Sequence, residues 1–153
     1  MLTVGQKVQN FTLPDRFSTM RSLSEFEGKK VVVYFYPKDS TPGCTRQACA
    51  FRDSFSDFNT LDVVVIGISK DSAKSHQQFV TEFNLPFLLL SDEDKTVINQ
   101  FGVWVEKTMY GKSTYGVSRS TFVLDENHTV VKVFEKANPD TNAEEILTYL
   151  KNR

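Results

Sequence analysis

Cys44 and Cys49 are the only cysteines of the chain and the side chains best suited to covalent chemistry. A thiolate can act as a nucleophile or a metal ligand, and two thiols can be converted reversibly into a disulfide. Two cysteines five positions apart are also compatible with two small buried residues of a helix. The sequence around them must therefore decide between chemistry and packing.

The segment that precedes Cys44 leaves a predicted strand and enters a predicted helix. The run VVVYFY at 31–36 is β-branched and aromatic, which is typical of a strand buried on both faces. Thr41 is a favourable N-cap and Pro42 suits the first helical position, so Cys44 falls at the third position. Unpaired backbone N–H groups and the helix dipole favour an anion there, and we predict that the thiolate form of Cys44 is stabilised.

The predicted helix runs from about residue 42 to residue 58 and has one apolar face. The apolar positions recur at steps of three and four and comprise Cys44, Ala48, Phe51, Phe55 and Phe58. Cys44 therefore begins the buried face, at the mouth of a pocket. Cys49 lies about 140° further around the helix, on a polar flank that also carries Arg52 and Asp53.

Cys44 and Cys49 cannot form a disulfide while the helix between them is intact. Five residues of α-helix separate two Cα atoms by roughly 8–9 Å. A disulfide needs a separation below about 7 Å. A reaction that joins the two cysteines therefore requires the first helical turns to unwind, and we predict a folded reduced form and a locally unwound oxidised form.

The remaining elements continue a βαβαβα order that ends in a hairpin and a helix. We predict strands at 62–69 and 88–90, helices at 72–83 and 92–101, and a hairpin formed by 119–125 and 129–135. Residues 103–117 have no clear period and are predicted as loop or extended chain. A last helix should begin at an Asn142 cap with Glu145 completing a capping box. This order predicts an α/β sandwich that resembles the thioredoxin fold with an N-terminal extension and an insert.

Length, charge and hydropathy narrow the class of protein. A chain of 153 residues without repeats or linkers predicts a single domain over residues 1–153. The net charge of −1 gives no electrostatic reason to expect a nucleic acid or an anionic membrane as partner. No apolar run approaches the ~18 residues of a membrane span. The N-terminal residues do not resemble a signal peptide, so we expect a cytoplasmic location.

Four other polar residues near the predicted site are interpreted as surface groups. His76 in a predicted helix and His128 in a predicted turn are both expected to lie at the surface. Lys38 and Arg46 add positive charge close to Cys44 and are expected to be solvated.

The sequence around both cysteines resembles the peroxiredoxins. Pro37, Thr41 and Cys44 match the Pro-x-x-x-Thr-x-x-Cys motif of that family. The segment TPGCTRQAC, which ends at Cys49, is similar to the peroxiredoxin Q group, also called bacterioferritin comigratory protein. The similarity continues through LLSDED at 89–94, FGVW at 101–104 and YGVSRSTFVLD at 115–125, and covers nearly the whole chain.

This resemblance implies a peroxidase that reduces hydrogen peroxide and organic hydroperoxides and is regenerated by thioredoxin or a similar dithiol. Cys44 would attack the peroxide and Cys49 would resolve the sulfenic acid as a disulfide. Arg119 would be the active-site arginine, which stabilises the thiolate and binds a peroxide oxygen. The Thr41 hydroxyl would contact sulfur and peroxide, and Pro37 would shape the loop and exclude water. No metal or organic cofactor is required, and a monomer is expected because both cysteines lie in one helix.

Other classes of protein stay open on the residues alone. A thiol–disulfide oxidoreductase that acts on proteins usually relies on C-x-x-C, whereas the spacing here is C-x4-C. A redox sensor or holdase would use the same disulfide to expose a binding surface. A metal site is the weakest alternative, because two cysteines without a nearby histidine supply too few ligands. Peroxide consumption with a thioredoxin system distinguishes the peroxidase from the sensor.

Overall fold

A five-stranded sheet forms the centre of the fold, and its middle strand leads directly into the segment that carries Cys44. The computed structural model describes residues 1–153. The strands are β1 (Thr12–Pro14), β2 (Met20–Ser22), β3 (Lys30–Phe35), β4 (Val63–Ser69), β5 (Leu88–Ser91), β6 (Trp104–Met109), β7 (Lys112–Val117), β8 (Ser120–Leu124) and β9 (Val130–Phe134). The α-helices are α1 (Pro42–Asp53), α2 (Phe55–Thr60), α3 (Ala73–Phe83), α4 (Thr96–Phe101) and α5 (Asn142–Lys151).

The order of the central sheet is β5-β4-β3-β8-β9. β3 pairs in parallel with β4, and β4 with β5, whereas β8 pairs antiparallel with both β3 and β9. Two small antiparallel pairs, β1-β2 and β6-β7, lie outside this sheet. The predicted α/β thioredoxin-like sandwich is confirmed. Because the parallel strands end at the same edge of the sheet, the segments that follow β3, β4 and β5 lie close together.

Side chains alternate between the two faces of β3 and divide the core into two layers. Val32 and Tyr34 join a core formed with α1, α2, α3 and α5, whereas Val31 and Val33 join a core formed with α4 and the N-terminal segment. A Cβ atom at Gly67 would lie 2.8 Å from the Cζ atom of Tyr34. Glycine in β4 therefore gives the Tyr34 ring room beneath α1.

Three local features differ from the prediction. The long helix is interrupted at Ser54, so that α1 and α2 are separate. The region predicted as loop or extended chain forms the β6-β7 hairpin, whose turn places Tyr110 and Gly111 at positive φ. The capping box at Asn142 is wrong: Thr141 occupies the N-cap, and Asn142 is the first, fully buried residue of α5. None of the helices combines the length and the apolar character that crossing a membrane would require.

Candidate active site

Cys44 lies where the sequence places it, at the third position of α1, and is only 2% exposed. Thr41 occupies the N-cap position with an extended backbone, and Pro42 is the first helical residue. The first backbone N–H groups of α1, at Gly43 and Cys44, therefore have no partners within the helix. A negative charge on this sulfur would lie at the positive end of the helix dipole.

Arg119 contacts the sulfur directly from the short connection between β7 and β8. Its Nη2 atom donates a hydrogen bond to Cys44 Sγ at 3.3 Å. A Cβ atom on Gly43 would lie 3.3 Å from the same Nη2 atom, so glycine at the second helical position lets the guanidinium approach closely. A half-buried guanidinium beside a thiolate stabilises the negative charge with a fixed, permanently charged donor.

Gln47 orients this guanidinium and was missed by the sequence analysis. Gln47 is fully buried, and its Oε1 atom accepts a hydrogen bond from Arg119 Nη1 at 2.7 Å. Its amide nitrogen lies 3.4 Å from Asn142 Oδ1, which also accepts a 2.7 Å bond from the Thr121 hydroxyl. The sequence feature that could have identified Gln47 is its position three residues after Cys44, on the same face of the helix.

The loop between β3 and α1 supplies the other two predicted residues. Here residues 36–41 are called the active-site loop. Pro37 is half-buried within it, and Thr41 closes it. The Thr41 hydroxyl makes no capping bond to α1 but donates to the carbonyl oxygen of Lys38 at 2.8 Å. Since the hydroxyl hydrogen is used there, the Thr41 oxygen is left as an acceptor, which suits the O–H group of a hydroperoxide.

The surface interpretation of both histidines is wrong. His76 is 0% exposed and contacts the Asp39 carboxylate at 2.7 Å, and His128 is 6% exposed and lies 2.9 Å from the carbonyl oxygen of Phe26. His76 lies three residues before Phe79, on the buried face of α3. The sequence around the two histidines does not indicate burial, because each imidazole is buried only by contacts with residues from distant segments.

Cys49 lies on the same uninterrupted helix as Cys44 and is half-buried, with both thiols free. Arg52, one turn further along, donates to the carbonyl oxygen of Phe83 at 2.9 Å and so joins the end of α1 to the end of α3. The hydrogen bond that Arg52 donates to the Asp53 carboxylate raises the pKa of Arg52, and nearby Cys49 acts in the same direction. Cys49 therefore lies one turn before the residue that attaches the end of α1 to α3.

A second cation beside Arg119 was also missed. Lys107 of β6 is half-buried and donates to the carbonyl oxygen of Val117 at 2.6 Å. Burial, and secondly the positive charge of Arg119, lower the pKa of Lys107. Arg46 is solvated as predicted, with a 2.7 Å ion pair to Asp140, and Lys38 is exposed. No group of three or more His, Cys, Asp or Glu side chains is placed to hold a metal ion.

Comparison with known proteins relates this arrangement to one family. Residues 4–133 match the AhpC/TSA family. The chain is 50% identical to a protein of Coxiella burnetii that bears the name peroxiredoxin Bcp, over 95% of this chain and 97% of the relative.

Two solved structures are similar over most of their length. A cysteine-to-serine mutant of PrxQ from Xylella fastidiosa matches with a TM-score of 0.94 at 34% identity, covering 99% of this chain and 97% of that chain. The bacterioferritin comigratory protein of Xanthomonas campestris, studied for its alkyl peroxide reduction activity in trapped intermediate and ligand complexes, matches with a TM-score of 0.88. That match has 37% identity and covers 93% of this chain and 90% of that chain.

Proposed function

The chain belongs to the AhpC/TSA family and is a thiol peroxidase of the peroxiredoxin Q/Bcp group, and we propose that Cys44 is its peroxide-reducing nucleophile and Cys49 its resolving thiol. The observation that carries this assignment is the 3.3 Å hydrogen bond from Arg119 to the Cys44 sulfur at the start of α1. Cys49 has no such donor, and this asymmetry supports the two different roles.

In the first step the Cys44 thiolate attacks the terminal oxygen of the peroxide. An S–O bond forms and the O–O bond breaks; the sulfur is oxidised to a sulfenic acid that keeps the peroxide proton, and the leaving oxygen takes a proton from solvent and departs as water or alcohol. Arg119 stabilises the charge that moves from sulfur to oxygen, and the Thr41 oxygen accepts the hydrogen bond of the peroxide. Pro37 shapes the loop that keeps water from the sulfur.

The second step requires α1 to open. The Cys49 thiol attacks the Cys44 sulfenic acid, and the new S–S bond releases one water molecule. In the helix the two Cα atoms are separated by roughly 8–9 Å, which is too far for a disulfide. Unwinding would break the contacts of Gln47 with Arg119 and of Arg46 with Asp140, whereas Arg52 keeps the last turn of α1 fixed to α3.

A dithiol partner completes the cycle. Thioredoxin, or a similar dithiol, attacks Cys49, the less buried of the two sulfurs, and its own thiols become the disulfide as both cysteines return to thiols. The alkyl peroxide reduction of the Xanthomonas campestris relative supports organic hydroperoxides as substrates beside hydrogen peroxide. We place this cycle in the cytoplasm, in a single-domain monomer whose one helix contains both cysteines and which needs no metal or organic cofactor.

Peroxide consumption with thioredoxin and its reductase tests the proposal. The wild-type protein should turn over, and Cys44→Ser should be inactive. Cys49→Ser should consume one equivalent of peroxide, form the Cys44 sulfenic acid and then stop. Full turnover by Cys49→Ser would remove Cys49 from the cycle, and full activity of Cys44→Ser would reject the proposed nucleophile.

A further inference from the structure

A cluster of polar side chains joins the active-site loop to α3, and the proposed reaction gives none of them a chemical step. We call Tyr36, Asp39, Ser75 and His76 the anchoring cluster. Asp39 is 5% exposed, and Tyr36 and His76 are 1% and 0% exposed. Polar groups are buried at a cost unless their hydrogen bonds are satisfied, so a buried cluster of this kind favours one specific arrangement of the segments that it joins.

Asp39 is the centre of the cluster. Its Oδ1 atom accepts a 2.6 Å bond from the Tyr36 hydroxyl, and its Oδ2 atom accepts a 2.8 Å bond from Ser75 Oγ and lies 2.7 Å from His76 Nδ1. The backbone N–H of Asp39 donates to Asp71 Oδ2 at 2.8 Å. Burial, and secondly the negative charge of Asp39, raise the pKa of Tyr36, so its hydroxyl remains a donor.

The two nitrogens of His76 both face acceptors. Nε2 lies 3.0 Å from the carbonyl oxygen of Leu90, which can only accept, so Nε2 carries a proton. Nδ1 faces a carboxylate oxygen of Asp39, so a second proton lies in that hydrogen bond. The geometry therefore indicates a buried, hydrogen-bonded pair of His76 and Asp39 with one proton between Nδ1 and Oδ2, joined to β5 on one side and to the active-site loop on the other.

The partners of Asp39 are Tyr36, which directly follows β3, Asp71 in the segment after β4, and two residues of α3, and none comes from α1. The residues next to Asp39 in the loop bear on the reaction directly. The carbonyl oxygen of Lys38 accepts the hydrogen bond that orients the Thr41 hydroxyl, and the carbonyl oxygen of Thr41 accepts the first backbone bond of α1 from Thr45. Fixing Asp39 therefore fixes the start of α1 without using α1 itself.

We propose that the Asp39–His76 pair is a positioning device that holds the active-site loop in its peroxide-binding shape and confines the unwinding of α1 to residues after Thr41. Neither side chain touches the reacting atoms. The pair acts through Thr41 and through the first turn of the helix. This inference rests on the proposed function of Cys44, but the protonation of the pair is testable without any activity.

The first test is the nitrogen NMR spectrum of the reduced wild-type protein. His76 should give one slowly exchanging ring N–H signal from Nε2, and the proton between Nδ1 and Asp39 Oδ2 should give a second slowly exchanging signal. Asp39→Asn should give one, because the amide of asparagine can donate to Nδ1 and leave a neutral ring within an otherwise satisfied cluster. A single His76 N–H signal in the wild type would overturn the assignment of the pair.

The second test measures oxidation of Cys44 by hydrogen peroxide in a single turnover, with quenched-flow alkylation. Asp39→Ala should react about 10- to 100-fold more slowly, because small displacements of catalytic groups have effects of this order. Asp39→Asn should remain close to the wild-type rate, since it preserves the geometry. Asp15→Ala is the matched control: Asp15 is a 6% exposed carboxylate in the turn between β1 and β2, and its loss should leave the rate unchanged.

Amide exchange of the disulfide form tests the second half of the proposal. The backbone amide of residue 39 should stay protected from hydrogen exchange in the oxidised wild-type protein. The same amide should lose its protection in oxidised Asp39→Ala. If Asp39→Ala does not fold, Ser75→Ala removes one of the three donors and should give a smaller decrease of the oxidation rate in the same direction. A folded Asp39→Ala that oxidises Cys44 at the wild-type rate would reject the positioning role and leave the peroxidase intact. A wild-type protein that does not react with peroxide would reject the proposed function instead.

Discussion

Arg119 donates one hydrogen bond to the sulfur of Cys44 and a second to Gln47, three residues further along the same helix. Helix α1 therefore carries both the proposed nucleophile and the acceptor that orients its cation. In the proposed cycle, Arg119 would lose both contacts at once when the first turns of α1 unwind. We therefore propose that the folded helix is the state that reacts with peroxide and that the unwound helix is the state that forms and presents the disulfide.

Replacing Arg119 by methionine should slow the oxidation of Cys44 by roughly 100- to 1,000-fold, the usual effect of removing one oriented donor from a reacting charge. The rate is measured with hydrogen peroxide in a single turnover. Arg46→Met is the matched control, since it removes the same charge from α1 at a 55% exposed side chain that pairs with Asp140. Similar losses of oxidation rate in the two variants would mean that Cys44 responds to the overall positive charge near α1 and not to the direct contact of Arg119 with the sulfur.

Gln47→Leu should lower the same rate by about 10-fold, because Arg119 keeps its charge but loses an oriented position. The free energy of unfolding should fall by about 1–3 kcal/mol, since Arg119 Nη1 loses its acceptor and Asn142 Oδ1 keeps only the hydrogen bond from Thr121. Urea denaturation measures the second effect. Gln77→Leu on α3 is the control, because its Oε1 atom has no hydrogen-bond partner, and an equal loss of oxidation rate there would contradict a specific role of Gln47.

Much of the site follows from local sequence rules, and the rest depends on distant contacts. The start of α1 is marked by neighbouring residues: a strand is followed by Thr41 at the N-cap, Pro42 at the first position and Cys44 at the third. Such a pattern can be identified from the sequence without knowledge of the fold. Gln47 and His76 are polar residues on apolar helix faces. Their burial depends on Arg119 and Asp39, which lie 72 and 37 positions away in the chain.

The β6-β7 hairpin was not predicted for a related reason. Most of its side chains are exposed or half-buried on both faces, so no alternation of apolar and polar residues marks the two strands. Asn142 resembles a helix cap in sequence, but its side chain is used by Thr121 in the interior. Thr141 takes the N-cap position instead and its hydroxyl contacts Glu145 at 3.0 Å.

Tyr34→Phe should raise the free energy of unfolding by about 1 kcal/mol, because the buried hydroxyl of Tyr34 has no hydrogen-bond partner in the protein. Burial raises the pKa of Tyr34, so the group stays a neutral phenol. The Tyr34 ring stacks on Phe51 of α1, with the two ring centroids 4.6 Å apart. A more stable contact between these rings should slow the unwinding of α1 and therefore the formation of the disulfide. Urea denaturation and the rate of disulfide formation are the two measurements.

Tyr36→Phe is the natural comparison, since Tyr36 is equally buried but donates to Asp39. This variant should lower the free energy of unfolding by about 1–3 kcal/mol, because it leaves a carboxylate oxygen unpaired. Equal effects of the two substitutions would show that the hydrogen-bond partner of the hydroxyl does not matter.

The unwinding of α1 between Cys44 and Cys49 is tested most directly by hydrogen exchange of the backbone amides of residues 42–50 in the reduced and the peroxide-oxidised wild-type protein. We predict strong protection in the reduced form and loss of protection over the first turns in the oxidised form, with Arg52 and the end of α1 still protected. Equal protection of residues 42–50 in the two forms, in a protein whose Cys44–Cys49 disulfide is verified by mass spectrometry, would contradict the account.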